Sequence, residues 1–217
     1  LNNDGVINDK DRTVIGNPNP KFTFSLNNTF NYKNIDLTVF INGSYGNKVL
    51  NYMSRNLNNM ESLWNNQLSV VTERARLQQV NESFAYPRTN STGATVYNWF
   101  DDIDNVRVAN PNATIPRAIQ NDPNDNTRLS DRYIEDGSYL RVKNIVLGYN
   151  FDKKLVRKLH LETLRVYANV QNLVTLTKYS GFDPEIGVST ASVNVYGLDN
   201  GRYPSPQIYS FGLNLSF

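Results

Sequence analysis

Four places in the 217-residue sequence carry residue types that could do chemistry. The first is the opening run Leu1-Asn2-Asn3-Asp4-Gly5-Val6-Ile7-Asn8-Asp9-Lys10-Asp11. It matches the calcium-loop pattern D-x-N-x-D-G-x-I-x-x-x-D with the first Asp missing. Asn2 and Asp4 offer hard oxygen ligands, Gly5 the sharp turn, Val6 a backbone carbonyl and Asp11 the closing carboxylate, a donor set suited to Ca2+. The competing reading is an Asn/Asp/Gly turn with no ion. The second place is Tyr97, Trp99 and Phe100 beside Asp101 and Asp102. These rings can stack on a sugar or contact a partner, or they can pack the loop onto its neighbours. The third is the pair Asp183 and Glu185, which with Asp101/Asp102 are the only candidates for acid–base work; no base, nucleophile or oxyanion device accompanies them. The fourth is His160, the single histidine, in the basic run Lys153-Lys154-Leu155-Val156-Arg157-Lys158-Leu159-His160. One His makes no zinc pair, and a solvated surface suits it. The absence of Cys removes thiol nucleophiles, disulfides and thiolate metal sites. With 22 Lys+Arg against 20 Asp+Glu, the net charge of +2 is too even for a nucleic-acid partner. The sequence predicts no enzyme and no cofactor other than calcium.

The elements that must position these residues read as strands. From Tyr209 to Phe217 the chain alternates strictly. Tyr209, Phe211, Leu213, Leu215 and Phe217 share one face, and Ser210, Gly212, Asn214 and Ser216 the other, as the period of two in a strand requires. Residues 21–32 place Phe22, Phe24, Leu26, Phe30 and Tyr32 on one face and Thr23, Ser25, Asn27, Thr29 and Asn31 on the other. Residues 35–45 do the same with Ile35, Leu37, Val39, Ile41 and Tyr45 against Asp36, Thr38, Asn42 and Ser44; Phe40 is an aromatic on the polar side. In 138–151 the apolar phase slips, from Leu140 and Val142 to Ile145, Leu147, Tyr149 and Phe151. A one-residue bulge near Lys143-Asn144 reconciles the two sets and leaves Arg141 and Lys143 on the polar side. Residues 163–175 set Leu164, Val166, Ala168 and Val170 against Arg165, Tyr167, Asn169 and Gln171. Small uncharged polar residues on one face and apolar residues on the other fit a wall between water and lipid.

Connection lengths alternate. Residues 31–34 and 152–162 are short; 1–20, 46–137 and 179–205 are long. Outer-membrane barrels have short periplasmic turns and long outer loops, so the long segments are predicted to be extracellular. Within the longest, Leu50, Met53, Leu57, Met60 and Trp64 recur at helical spacing and predict a helix over 48–64, with weaker helical character over 67–78. From Asn81 onward the segment has loop chemistry. Five strands cannot close a barrel, and an open edge in lipid leaves backbone groups unpaired. The expected fold is therefore all-β: the C-terminal five strands of a larger transmembrane antiparallel β-barrel, with residues 1–217 forming one portion of it and a short helix in its outer loops. The incomplete first loop agrees with a chain that begins inside a longer polypeptide.

Several runs resemble the C-terminal region of the SusC/RagA family of TonB-linked outer-membrane proteins of the Bacteroidetes. They are Asp4-Gly5-Val6-Ile7 through Asp11-Arg12-Thr13-Val14-Ile15-Gly16-Asn17-Pro18-Asn19-Pro20-Lys21-Phe22, and Gly43-Ser44-Tyr45-Gly46-Asn47. Next come Ile115-Pro116-Arg117-Ala118 and Ser130-Asp131-Arg132-Tyr133-Ile134-Glu135-Asp136-Gly137-Ser138-Tyr139-Leu140-Arg141. The series ends with Leu164-Arg165-Val166-Tyr167 followed by Gln171-Asn172-Leu173, Lys178-Tyr179-Ser180-Gly181-Phe182-Asp183-Pro184-Glu185, and the closing Phe217. The resemblance implies a twenty-two-stranded barrel around a plug in the outer membrane. It also implies a SusD-like surface lipoprotein over the outer opening, energy delivered through TonB, and import of a glycan or a peptide. A last strand ending in Phe217, with Tyr209, Phe211, Leu213 and Leu215 behind it, resembles the signal read by the barrel-assembly machinery.

Two other classes compete. A secreted β-rich glycan-binding module or adhesin needs apolar faces turned into a dry core, and a soluble enzyme needs one of the carboxylate pairs to be armed. Both are expected to stay soluble without detergent.

Overall fold

A computed structural model describes residues 2, 4, 7–62, 64–120, 122, 125–186 and 196–217. In chain order its elements are β1 (Phe22–Tyr32), β2 (Ile35–Tyr45), β3 (Lys48–Asn51), α1 (Tyr52–Leu57), β4 (Leu77–Gln79), β5 (Arg88–Thr89), β6 (Thr95–Val96), β7 (Val106–Val108), β8 (Ile134–Asp136), β9 (Tyr139–Asn150), α2 (Lys153–Val156), β10 (Thr163–Thr177), β11 (Leu198–Asp199) and β12 (Ile208–Ser216). The chain divides into two compact units, Leu1–Met53 with Ser130–Phe217, and Ser54–Leu129.

The first unit is built on one antiparallel sheet in the order β1-β2-β9-β10-β12. All five are the strands that alternation predicts, with ends within two residues. A two-residue turn at Lys33-Asn34, with Lys33 in the left-handed region (φ 54°), reverses β1 into β2. Between β9 and β10 the basic run folds as α2 and one 3-10 turn. Val156 packs inward, and exposed His160 ends the turn at φ 58°.

The bulge lies where the phase slip requires it. Against β2, Asn144 faces Phe40 and Val142 faces Ile41, so Lys143 is the extra residue. Against β10, Asn144 faces Gln171 and Val142 faces Val174; here β10 supplies the extra residue, and Asn172 takes a left-handed conformation (φ 52°). Leu140 and Val142 thereby join Ile145, Leu147 and Tyr149 on the apolar face. That face stays exposed: Phe22, Phe24, Leu26, Phe30, Leu147, Val166, Tyr209, Leu213 and Leu215 are open to the surroundings, and Phe211 is 86% exposed. Aromatic rings gather at both its ends. Phe22 stacks on Tyr45 at 5.3 Å near one rim, and Tyr149 meets Phe151 edge-on at 5.0 Å near the other. This is where amphipathic rings sit at a membrane–water boundary. Among the described residues no helix is long and apolar enough to cross a membrane.

Two glycines let side chains lie flat on the polar face. A Cβ on Gly148 would strike the Arg165 guanidinium and the Asp36 carboxylate, which meet directly above it. A Cβ on Gly212 would strike the Tyr167 ring.

Of the helix expected over 48–64 only the short α1 forms. Lys48–Asn51 are instead taken by a small three-stranded sheet, β11-β3-β8, antiparallel to β8 and parallel to β11. Only Tyr52–Leu57 are helical, and Trp64 is 93% exposed. Over 67–78 a 3-10 turn at Ser69–Glu73 leads into β4, which pairs with β7. Helical spacing of apolar residues here was a coincidence overridden by non-local pairing.

Candidate functional site

The polar face of the sheet is graded. Its middle rows, Asn27–Phe40–Asn144–Gln171 and Thr29–Thr38–Val146–Asn169–Ser210, carry no charge. Among the described residues, its charged side chains are Asp36 and Arg165 toward the short turns and Arg141 and Lys143 toward the long loops, with Lys143 at the bulge beside the Asn144 row.

At the end that carries the short turns, Arg165 on β10 reaches across β9 to Asp36 on β2. Its Nε donates to Oδ1 at 3.1 Å, and Asn150 donates to the same oxygen at 3.0 Å. Sequence reasoning put both residues on the polar face but missed the pair. The signal was Gly148, which lies opposite Asp36 in register.

At the loop end, Arg141 is 2% exposed. Its guanidinium donates to Asp183, to Glu185 Oε2 at 2.7 Å and to Thr175 Oγ1 at 2.8 Å. Lys143 reaches Glu185 at 3.1 Å. The bulge is what allows both cations onto this side. Asp183 also accepts the backbone N–H of Glu185 (2.9 Å) and of Ser205 (3.1 Å), so it fastens both feet of the loop after β10. Burial opposes its ionisation, but these N–H bonds and Arg141 outweigh that and hold its carboxyl below the usual range. The Asp183/Glu185 pair is thus spent on cations rather than arranged for acid–base work.

Further ties surround it. Tyr179 donates to Asp199; burial first, then that bond, pushes the Tyr179 hydroxyl far above its ordinary value, so it remains a donor. Glu135 accepts from Asn51 (2.8 Å) and from Ser180. These contacts join β3, β8 and the segment around β11 into one fixed surface at the loop end.

The second unit holds Tyr97, Trp99 and Phe100. Trp99 and Phe100 meet edge-on at 5.8 Å, Phe100 is exposed and Tyr97 is 70% exposed. Asp101 is exposed, whereas Asp102 is fully buried, accepting from Tyr86 (3.0 Å) and Arg88 (2.8 Å). Asn105, also fully buried, donates to the Tyr86 hydroxyl at 2.8 Å. Asp102 therefore belongs to a polar core and presents nothing to a ligand.

In the first loop, Asn2, Asp4 and Asp11 come together. The Asp11 carboxylate accepts the N–H of Asn2 (3.0 Å) and of Asn8 (2.9 Å), and Asn2 donates to Asp4 at 2.8 Å. Val6 lies outside the described residues. Among these there is no cluster of three or more His, Asp or Glu, so an ion here would rely on amide and carbonyl oxygens as well, as hard cations accept. The residues of the last strand, Tyr209, Phe211, Leu213 and Leu215, share the apolar face, opposite Val170, Ala168, Val166 and Leu164, and Phe217 follows them.

No protein-family model matches the chain. TonB-dependent receptor P3 of Formosa agariphila is 33% identical over the whole chain, which covers 18% of that receptor. TonB-dependent receptor SusC of Bacteroides thetaiotaomicron is 37% identical over 90 residues, 41% of this chain and 8% of SusC. Among solved structures, the RagAB peptide transporter superposes with a TM-score of 0.62 at 21% identity, over 92% of this chain and 17% of its own. The chain belongs to the SusC/RagA-like TonB-dependent receptors. It spans about a fifth of the length of the relatives it matches end to end.

The Arg141 cluster gives the first prediction. Arg141→Ala strands a buried carboxylate and should destabilise the loop feet by about 3–5 kcal/mol. In the unaltered protein Asp183 is held below its ordinary value. The tie therefore contributes fully near neutrality and is lost as the pH falls below about 4. The hydrogen-exchange protection factors of the Glu185 and Ser205 amides, each referred to the intrinsic rate at its pH, should fall with Arg141→Ala at pH 7 and with acidification of the wild type; unchanged protection factors in both refute the tie.

Proposed function

We propose that the chain forms consecutive strands, the last five, in the wall of a SusC-like TonB-dependent outer-membrane transporter. The observation that carries this is a five-stranded antiparallel sheet with one exposed apolar face, rimmed by aromatic rings, and one polar face. The apolar face meets the bilayer and the polar face an aqueous lumen. Segments 1–20, 46–137 and 179–205 lie outside the cell, and the turns at 31–34 and 152–162 face the periplasm. The barrel has twenty-two strands, and TonB acts through other parts of the receptor. The imported solute is a glycan or a peptide, delivered with a SusD-like surface lipoprotein that the outer segments touch. The names of the relatives, TonB-dependent receptors, support transport rather than an enzymatic role.

The unit Ser54–Leu129 can be removed cleanly, because Arg55 donates to the Thr127 carbonyl and the cut ends are therefore close. Replacing 58–126 with a short linker should leave the receptor in the outer membrane but lower lipoprotein capture and uptake several-fold. Unchanged capture and uptake would count against a partner role for this segment.

The apolar face of β12 and Phe217 serve as the signal for the barrel-assembly machinery. Phe217→Asp should reduce assembled receptor several-fold while transport per assembled molecule stays the same; normal assembly overturns the assignment.

The loop at 2–11 holds a calcium ion through Asn2, Asp4, Val6 and Asp11. The full receptor should lose one bound calcium on Asp11→Ala, read by equilibrium titration. An unchanged stoichiometry would remove the ion from the account.

A further inference from the structure

The near-even net charge conceals an uneven distribution. The two short turns, 31–34 and 152–162, hold five Lys or Arg against two Asp or Glu. The three long segments, 1–20, 46–137 and 179–205, hold twelve against seventeen. The cations of the short turns are Lys33, Lys153, Lys154, Arg157 and Lys158, and all are exposed. Among the described residues none of the five forms an ion pair. Asn34 donates to Asp152 at 2.9 Å, and the Asn150 N–H donates to the Asn34 carbonyl at 2.8 Å. These bonds tie the two turns together, so Lys33 shares one surface with the cations of α2 and the 3-10 turn after it. Two leucines stand among the cations. Val156 is fully buried and anchors this stretch, whereas Leu155 is 51% and Leu159 60% exposed. Just before the turns the apolar face is crossed by the row Tyr32, Ile35, Tyr149, Val166, Leu213.

We propose that the two short turns together dock the headgroups of anionic phospholipids in the leaflet they face. The five cations hold the phosphates, and Leu155 and Leu159 enter the edge of the acyl layer. The inference rests on the membrane-wall reading given above and goes beyond it, because a wall meets charged and uncharged lipids alike. Three features select the occupant. Cations without a carboxylate partner on the protein are free to take an anion from outside it, and an anionic leaflet attracts Lys and Arg held at its surface. Exposed leucines among such cations make an amphipathic surface, as in segments that lie in a membrane interface; a turn surrounded only by water gains nothing from them. The Tyr32 and Tyr149 rings in the row below mark the level where the hydrocarbon ends, so the turns stand at headgroup height. A soluble phosphate would satisfy the cations and leave the leucines in water. An acidic protein would match the charge, but a lipid brings phosphate and alkyl chain together at this level.

The test is lipid binding by the full receptor, delipidated in detergent and titrated with phosphatidylglycerol or phosphatidylcholine. Native mass spectrometry counts the bound lipids, and heat-modified electrophoretic mobility selects the folded fraction. The wild type should prefer phosphatidylglycerol. Lys153→Gln, Lys154→Gln, Arg157→Gln and Lys158→Gln combined in one variant should weaken phosphatidylglycerol binding about tenfold and leave phosphatidylcholine binding unchanged. Arg74→Gln, Arg76→Gln, Arg107→Gln and Arg117→Gln combined remove the same charge from a long segment and should leave the preference intact. Leu155→Ser with Leu159→Ser should weaken phosphatidylglycerol binding several-fold. Equal binding of the two lipids by the wild type, an unchanged preference in the turn variant, an equal loss in the long-segment variant, no effect of the leucine changes, or tighter binding of a polyglutamate peptide than of phosphatidylglycerol would each overturn the docking surface while leaving the wall intact. A receptor that stays folded in plain buffer and carries no lipid would overturn the wall reading itself.

Discussion

One extra residue, Lys143, decides which side of β9 every other side chain occupies. Side chains alternate along a strand, so a single insertion exchanges the two faces. Without the bulge, Leu140 and Val142 would turn to the polar face and Arg141 to the apolar one. With it, Leu140, Val142, Ile145, Leu147 and Tyr149 line up with their partners on β2 and β10. Arg141 and Lys143 both come within reach of Glu185. The apolar face, the graded polar face and the anchoring of the last long loop all depend on that one register change.

The distribution of charge follows from the same geometry. An ion pair on this face is useful only where it can be shielded or shared. Arg141 is buried against Asp183 and Glu185, and Arg165 lies flat over Gly148 to reach Asp36 two strands away. Between these ends stand hydroxyls and amides together with the apolar Phe40, Val146 and Ile208, and Lys143 at the bulge.

The strands were legible because each is a local pattern. Alternation, a short turn and a phase slip are all read within about a dozen neighbouring residues. The helix over 48–64 was misread for the converse reason. Leu50 satisfies a helical spacing locally, but β3 is claimed by β8 and β11, at least 84 residues away in the chain. The Arg141–Asp183 tie spans 42 residues. Neither partner shows by its type that it is spoken for, so two carboxylates near each other looked like an empty acid–base pair. Asp102 is a similar case. Beside Trp99 and Phe100 in sequence it suggests a ligand site, yet its side chain turns inward to Arg88 and Tyr86. Trp99–Asp101 form a 3-10 turn that Asp102 closes, and only the fold tells which of the two carboxylates faces solvent.

The sheet's two outermost strands carry the remaining argument. β1 and β12 each pair with one neighbour, β2 and β10. Their other edges carry N–H and C=O groups in alternation. In water such edges are a hazard for aggregation, and in hydrocarbon each unpaired group costs several kcal/mol. The apolar residues on both strands, Phe22 to Tyr32 and Tyr209 to Leu215, place those edges at bilayer depth under the membrane reading. A charge or proline would blunt an exposed edge, yet from Phe22 to Tyr32 and from Ile208 to Ser216 there is none. Strands so made are suited to further pairing on both sides, and a closed ring of strands is the arrangement that satisfies every one of those groups at once.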